Sequence, residues 1–444
     1  MLTGWSVVYN FAVRTEVINV EKLLMLGTGM HTVEMVQYAR SLGVYTIVTD
    51  YLEPADSVGK QYSDEYWMIS SADVDTLERR CRAEGVTAVA CGTSEFNLER
   101  TMELCGRLGF PCYCTPESWH YSRDKADFKE LCRREGVPMA EDYALSERFT
   151  EEELNKIQFP VVVKPVDMCG NRGVSYCYNR EDLIKGYQNA RAMSDSSKII
   201  VEHMFTGREW YAYYAMAEGE IRQICLNDMI AQPGELKNLY SITTPVTDNV
   251  ERIMTEINPA IKRALKAVGC REGIAWVELM QDTDDQFYVI EMGYRLPGDI
   301  VDKTYQYLFG FDPTKWIVDY ALGHRLTVQD LPAEQEHAYS RCSCGYLLWA
   351  NRSGTISEMT GFDEINRIPG VECVLLKHRG DSFALHSMLE TIAIVADTVD
   401  EMCEKIAEIN RYIHILDENG EDAFIKFTDF DTLKRNGRNR NAGV

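Results

Sequence analysis

Residues 273–299 read GIAWVELMQDTDDQFYVIEMGYRLPGD and contain two strand-like runs on either side of an acidic turn. If the turn QDTDDQ closes these runs into an antiparallel hairpin, Glu278 lies opposite Glu291 and Leu279 lies opposite Ile290. Directly opposed residues of a hairpin are only about 5 Å apart at Cβ. The pattern therefore predicts two neighbouring carboxylates on one face of a sheet.

The predicted carboxylate pair favours a cation site. The same face carries Trp276, Met280 and Val289, and like charges opposed in apolar surroundings destabilise each other. A divalent cation between them removes the repulsion, and magnesium commonly binds one or two carboxylates together with substrate phosphates. The alternative is a β-bulge that shifts the register and turns both glutamates toward water.

Length and composition indicate a folded protein of several domains. The 444 residues correspond to roughly three domains of about 150 residues each, and 45% of them are hydrophobic. With 46 basic and 69 acidic residues the formal net charge is −23, which disfavours nucleic acid and membrane surfaces as partners. A small-molecule substrate or a protein partner fits this charge better.

Several features predict a cytoplasmic location. The sequence contains no run close to the roughly 20 apolar residues of a membrane span. Residues 1–20 lack the basic start and apolar core of an export signal, so we interpret them as an N-terminal tail. The 14 cysteines are scattered, and the closest pairs are spaced C-x-C, which predicts reduced thiols rather than a metal cluster.

The chain begins with alternating strands and helices. Apolar runs at 22–26, 44–48 and 86–91 are separated by helical patterns, which predicts a doubly wound parallel sheet. Gly27-Thr28-Gly29 follows the first run and Asp50 follows the second, an arrangement superficially like a dinucleotide-binding fingerprint. Because the third glycine of that fingerprint is absent, a tight turn is the better interpretation.

A glycine-containing loop follows a lysine near the middle of the chain. Lys164 lies near the end of the run VVVKP, and Asp167 to Gly173 connects it to the next strand. Gly170 and Gly173 would let backbone N–H groups converge on phosphate oxygens beside the lysine. The same residues also make a good hairpin connection, so a simple turn is the alternative.

Aromatic residues crowd the strand EWYAYYAMA. Packing within the sheet is the default expectation for Tyr211, Tyr213 and Tyr214.

The order and spacing of the charged residues resemble those of the ATP-grasp superfamily. In chain order the series is Lys125, Lys164, Glu202, Glu209, Glu278, Glu291 and Arg295. It is most similar to the carboxylate-amine ligase branch, which includes the L-amino-acid ligases, with biotin carboxylase and carbamoyl-phosphate synthase as more distant relatives. The resemblance covers about residues 21–425, and R-x-x-G-D from Arg295 to Asp299 leans toward the amino-acid ligases.

The resemblance implies a site for ATP. Two lysines would hold the α- and β-phosphates, and a flexible loop at 167–173 would close over the γ-phosphate. At the hinge, Glu202 and the backbone of His203 and Phe205 would meet adenine, while Glu209 would accept the ribose hydroxyls. The residues implied to contact ATP are Lys125, Lys164, Gly170, Asn171, Gly173, Glu202, His203, Phe205 and Glu209.

The resemblance also implies the chemistry. Glu278 and Glu291 would bind Mg²⁺, in agreement with the hairpin argument; two ions are expected, with Mn²⁺ as an alternative. Arg295 and the backbone N–H of Gly298 would stabilise an acyl phosphate and a tetrahedral intermediate. ATP would phosphorylate a small carboxylate, and an amine would then attack the acyl phosphate to release ADP, phosphate and an amide or peptide. Amino acids are the expected acid and amine.

The expected fold is α/β and α+β multidomain: a doubly wound parallel sheet, an ATP-grasp fold with a mobile lid, and a mixed α/β cap. A homodimer is implied by the resemblance only. The predicted boundaries are an N-terminal tail at 1–20, a pre-ATP-grasp Rossmann-like domain at 21–117, an ATP-grasp domain at 118–330 with its lid at about 140–200, a C-terminal cap at 331–433 and a tail at 434–444.

Position 293 departs from the family pattern. Many members carry an asparagine two residues after the second metal glutamate, and this chain has Gly293, so one side-chain oxygen is missing from the metal shell. Water is one replacement. The alternative is an ATP-binding protein with a decayed, non-catalytic site. A biotin-dependent carboxylase or a carbamoyl-phosphate-synthase-like enzyme is the other enzymatic alternative.

Overall fold

The computed structural model describes residues 20–437 apart from 167–172, 195–197, 237–238, 299–300, 325, 338 and 340. It begins with four parallel strands: β1 (Lys22–Leu26), β2 (Tyr45–Thr49), β3 (Glu65–Trp67) and β4 (Ala88–Cys91), in the order β3-β2-β1-β4. The helices between and after them are α1 (Met30–Ser41), α2 (Val58–Tyr62), α3 (Val74–Glu84) and α4 (Glu95–Leu108).

Strand β1 explains why this sheet is covered on both faces. Leu24 and Leu26 belong to one buried cluster, while Leu23 and Met25 belong to another. Alternate residues of a strand point to opposite faces, so a continuous apolar run needs packing on both sides. The predicted doubly wound parallel sheet is confirmed.

Two helices connect this sheet to the centre of the chain: α5 (Pro116–Arg123) and α6 (Lys125–Arg134). The side chain of Asp124 accepts hydrogen bonds from the backbone N–H groups of Ala126 and Asp127, both at 3.0 Å, and thus caps α6. Lys125 and Lys129 are four residues apart in α6 and therefore lie about one turn apart on the same helix face.

A small antiparallel sheet follows, formed by β5 (Val161–Pro165), β6 (Ser175–Cys177) and β7 (Ile199–His203) in the order β6-β5-β7. Helix α7 (Glu151–Leu154) precedes it, and α8 (Arg180–Met193) packs Leu183, Tyr187 and Ala190 into its core. Asn179 caps α8, since its side chain accepts a hydrogen bond from the backbone N–H of Asp182 at 3.0 Å.

An eight-stranded antiparallel sheet forms the body of the protein, in the order β12-β11-β8-β9-β10-β13-β18-β16. Ile242 pairs with Tyr346 in this sheet, so the predicted cap is joined to the preceding region by hydrogen-bonded strands. The strands are β8 (Glu209–Ala217), β9 (Glu220–Ala231), β10 (Tyr240–Thr244), β11 (Gly273–Gln281), β12 (Phe287–Gly293), β13 (Cys342–Trp349), β16 (Val371–Leu375) and β18 (Met388–Ala396).

The other elements surround this sheet. Short strand pairs are formed by β14 (Gly354–Thr355) with β17 (Ser382–Phe383) and by β15 (Glu358–Thr360) with β19 (His414–Leu416). The helices are α9 (Val250–Glu256), α10 (Asn258–Val268), α11 (Val301–Phe309), α12 (Pro313–Ala321), a 3₁₀ turn (Val328–Asp330), α13 (Phe362–Ile365), α14 (Val399–Tyr412) and α15 (Phe430–Gly437).

The predicted tail at 434–444 is wrong for its first four residues. They continue α15, because Leu433 is fully buried in the C-terminal core and Asn436 donates to the buried Asp228 carboxylate at 2.7 Å. Residues 438–444 lie outside the described chain. None of the described helices is both long enough and apolar enough to span a bilayer.

Candidate active site

The small and large sheets enclose a cavity of about 560 Å³. Gly170 and Asn171 lie outside the described residues, and Gly173 does not line the cavity. Gly173 has a φ of 77° and its Cβ position would be 3.1 Å from Pro165, so a turn requires glycine here. All other predicted site residues line the cavity: Lys125, Lys164, Glu202, His203, Phe205, Glu209, Glu278, Glu291, Arg295 and Gly298.

The hairpin prediction is confirmed for the pair of glutamates and wrong for the next pair of residues. Glu278 pairs with Glu291, but a bulge shifts the register so that Leu279 pairs with Val289 instead of Ile290. The bulge turns Ile290 and Glu291 toward the cavity, whereas Val289 is buried in the core with Leu279. Val289 is therefore not on the carboxylate face, and the bulge leaves both glutamates in the cavity.

The two glutamates are in different electrostatic surroundings. Burial raises the pKa of Glu278 well above its usual value, and the negative charges of Glu209 and Glu291 raise it further. Burial also opposes ionisation of Glu291, but Lys125 and Lys164 outweigh it and lower the pKa of that carboxyl. The Nζ atom of Lys125 lies 3.1 Å from a carboxylate oxygen of Glu291.

This donor set fits a hard divalent cation. Two carboxylates from adjacent strands share a cavity wall, and a third, Glu209, is near enough to raise the pKa of Glu278. A cation between Glu278 and Glu291 would relieve that repulsion with the oxygen ligands that magnesium prefers. The described residues form no cluster of three or more His, Cys, Asp or Glu ligands, so the remaining ligands would be water or phosphate.

Two buried lysines share the carboxylate of Glu202. This carboxylate pairs with Lys164 and, at 2.5 Å, with Lys129. Burial favours the neutral form of Lys164, but Glu202 outweighs it and raises the pKa of that lysine. Lys164 is therefore a permanent cation in the cavity.

These contacts revise the roles implied at the hinge. The Glu202 side chain is held by lysines, so it is not presented to an adenine amino group. The N–H of His203 donates to the Glu141 carbonyl at 2.9 Å and is not available to a nucleobase. The role expected of the Phe205 backbone stays a prediction, but the Phe205 ring, which is stacked on Tyr288 with centroids 4.5 Å apart, supplies a flat apolar surface in the cavity lining.

Lys129 was missed by sequence reasoning. It is 4% exposed and lies four residues after Lys125 on α6. The available signal was this i, i+4 spacing, which places both lysines on one helix face.

Trp276 explains why position 293 is glycine. A Cβ atom at Gly293 would lie 2.2 Å from Cε2 of Trp276, which pairs with Gly293 across the hairpin. The indole stacks on Tyr211 with centroids 5.4 Å apart, and the Arg295 guanidinium lies 5.2 Å from its centre. The space that an asparagine would need is therefore occupied by the indole ring.

Arg295 also contacts the N-terminal sheet region. Its Nη2 lies 3.0 Å from Oε1 of Glu95, in the first turn of α4. This ion pair links the N-terminal end of α4 to the wall of the cavity.

The far end of the cavity is aromatic. Tyr213 and Tyr214 are fully buried as expected, but Tyr211 lines the cavity, and a register shift follows Tyr213. Tyr240 from β10 and Trp349 from β13 continue the lining. No sequence pattern indicated this cluster, because its members come from strands far apart in the chain.

A family model of the ATP-grasp domain matches residues 157–303. Among curated proteins, the carbamoyl phosphate synthase large chain of Thermomicrobium roseum is 26% identical over 271 residues, which cover 58% of this chain and 25% of that protein. The chain spans about a quarter to a half of the length of the curated relatives it matches.

Solved structures are similar over nearly the whole chain. The L-amino acid ligase from Bacillus licheniformis has a TM-score of 0.72 at 17% identity, with 90% of this chain and 99% of that chain covered. A biotin carboxylase complex from Campylobacter jejuni has a TM-score of 0.71 at 18% identity, with 95% and 97% covered. At these identities the likeness establishes the fold, which is that of the ATP-grasp proteins.

Proposed function

We propose that this chain, which matches the ATP-grasp domain over residues 157–303, is an ATP-dependent ligase that joins a small-molecule carboxylate to an amine. In the first step a carboxylate oxygen attacks the γ-phosphorus of ATP, which forms an acyl phosphate and releases ADP. In the second step the amine nitrogen attacks the carbonyl carbon, loses a proton, and expels phosphate. The product is an amide or a peptide bond.

The observation that carries this proposal is the charge arrangement in the cavity. Three cations, Lys125, Lys164 and Arg295, line the same space as the paired carboxylates Glu278 and Glu291. Phosphoryl transfer depends mainly on positioning and on neutralising negative charge, and these groups supply both.

The lysines would hold the phosphates. Lys164 keeps its charge because Glu202 lies beside it, and Lys125 reaches the cavity from the capped start of α6. Phe205 would contact the nucleobase, and Glu209 would accept ribose hydroxyls. Loop 167–173, which includes Gly170 and Asn171, would close over the γ-phosphate.

Glu278 and Glu291 would hold magnesium. When bound, magnesium offsets the charge of the triphosphate. Arg295 is positioned by Glu95 and Trp276 to face negative charge on the acyl group, and the N–H of Gly298 is the second proposed donor. Two magnesium ions, amino-acid substrates and a homodimer complete the proposal.

We propose the predicted domain roles as well. Residues 118–330 would bind ATP, and the segment at about 140–200 would close as a lid that keeps water from the acyl phosphate. Residues 21–117 and 331–433 would contribute to the pocket for the acid and amine, since Glu95 and Trp349 both contact or line this cavity region.

The test is release of ADP and phosphate with magnesium ATP and pooled amino acids, followed by mass spectrometry. Amino-acid-dependent release with a new amide mass is the expected result. Release that requires bicarbonate and free biotin would instead establish a carboxylase. Tight ATP binding with no turnover in any pool would mean either a decayed site or an acid or amine outside the pools.

Matched variants make this test specific. Glu291→Ala removes one carboxylate of the proposed metal pair, whereas Glu358→Ala removes an exposed carboxylate of β15 outside the cavity. Loss of turnover in the first variant and normal turnover in the second are expected. Wild-type turnover in Glu291→Ala would contradict the metal assignment.

A further inference from the structure

The cavity extends past the carboxylate pair along a continuous row of aromatic rings. Trp276 stacks on Tyr211 with centroids 5.4 Å apart, Tyr211 meets Tyr240 edge-on at 6.0 Å, and Tyr240 meets Trp349 edge-on at 6.2 Å. All four residues line the cavity. We call these four residues the aromatic wall.

The aromatic wall is fixed before any ligand arrives. Its members come from β11, β8, β10 and β13 of the large sheet, and the indole N–H of Trp349 donates to the Tyr240 carbonyl at 2.8 Å. A preformed surface does not lose side-chain freedom when a ligand binds, so it selects ligands by shape.

The chemistry changes along the wall. At the Trp276 end lie the Arg295 guanidinium and the paired glutamates, which suit a carboxylate and its phosphorylation. At the Trp349 end the cavity is also lined by the apolar Leu239 and Met388 and by His386. A ligand that fits both ends has a carboxylate at one end and a flat apolar group at the other.

We propose that the acid substrate carries an aromatic or similarly flat apolar group, which stacks on Tyr211, Tyr240 and Trp349 while its carboxylate faces Arg295. This inference rests on the proposed ligase function and names the class of its acid substrate. Small polar acids leave the apolar end of the cavity to water, so they gain little from the wall. Aromatic side chains bury a large apolar area and gain the stacking contacts.

Hydroxylamine tests the acid independently of the natural amine. It attacks an acyl phosphate through nitrogen, expels phosphate, and leaves a hydroxamate that is measured by colour or mass. With magnesium ATP and hydroxylamine, L-phenylalanine, L-tyrosine and L-tryptophan are compared with L-alanine, L-serine and L-aspartate. The expected kcat/KM for hydroxamate formation is at least about tenfold higher for the aromatic acids.

Wall variants locate the effect. Trp349→Leu and Tyr240→Leu are expected to raise the KM of the aromatic acid about tenfold or more, with a much smaller change in kcat and in the KM of ATP. Tyr412→Leu is the matched control, because Tyr412 is an exposed aromatic residue of α14 outside the cavity. Unchanged ATP binding in each variant shows that the protein is folded.

Direct binding separates the two proposals. Calorimetry measures L-phenylalanine binding to the wild type and to Trp349→Leu without turnover. Hydroxamate formed preferentially from short polar acids would overturn the aromatic inference and leave the ligase function intact. Binding of L-phenylalanine that is lost in Trp349→Leu, with no hydroxamate from any acid, would support the aromatic wall and contradict the ligase function.

Discussion

Adding one methyl group at position 293 should disturb the active-site wall. In Gly293→Ala the new Cβ would lie 2.2 and 2.3 Å from two ring carbons of Trp276 and 2.5 Å from its Nε1. Ordinary contacts between carbon atoms are about 3.5–4.0 Å, so the indole or the strand has to move by more than about 1 Å. The ring cannot give way freely, because it is packed against Tyr211 and Arg295.

The expected cost follows from these contacts. Overpacking a well-filled site usually costs about 1–3 kcal/mol. Displacement of the indole also weakens an aromatic pair worth about 0.5–1.5 kcal/mol and a cation–π contact worth about 0.5–2 kcal/mol. These effects overlap, so we expect Gly293→Ala to lower the free energy of unfolding by about 1–3 kcal/mol.

The assay is urea unfolding followed by tryptophan fluorescence, arranged as a double-mutant cycle. Trp276→Ala removes the obstructing ring, so Gly293→Ala should cost much less in that background than alone. Gly106→Ala is the control: Gly106 is an exposed residue of α4 with no atom within 4 Å of its Cβ position. Equal costs of Gly293→Ala in both backgrounds would refute the explanation of this glycine.

The other predictions concern charge. Glu291→Ala should abolish ATP turnover, as should chelation of magnesium, and the readout is ADP release. Glu202→Gln should destabilise the protein by about 3–5 kcal/mol in urea unfolding, because it leaves the buried Lys164 without the carboxylate that it pairs with, whereas Glu152→Gln on the surface should change little. Burial raises the pKa of Glu390 from 4.5 to about 8. The folded state therefore holds this proton where the unfolded state has released it, so stability should fall as pH rises from 4.5 toward 8, by up to about 1.4 kcal/mol per pH unit. Glu390→Gln should flatten that part of the pH profile, and an unchanged slope would contradict the assignment.

The hairpin shows which strand pairings a local sequence pattern can predict. Two strand-like runs and the acidic turn between them were enough to predict that Glu278 pairs with Glu291. The sequence left a bulge in this hairpin as an alternative but did not locate it, because nothing local distinguishes Ile290 from a regular strand residue. Burial of Val289 against Leu279 in the core decided it.

The lysines of the site also divide into two that the sequence indicated and one that it did not. Lys164 was indicated by its place before a glycine-containing loop, and Lys125 was implied by the resemblance to the ATP-grasp superfamily. Lys129 was not, since a lysine on an amphipathic helix is usually a surface residue. Its role depends on Glu202, which is 73 residues away in the chain.

The sequence by itself determined the class of fold, the order of the charged site residues and the pairing of the two glutamates, because strand periodicity, turn chemistry and spacing are local properties. The tertiary structure alone decided which residues share the cavity wall. The aromatic wall is built from four strands that lie between Tyr211 and Trp349 in the chain. The glycine at position 293 is explained only by the Trp276 indole, which occupies the space that a Cβ atom would need. Such contacts depend on sheet order and on the volume of packed side chains, neither of which is encoded within any single segment.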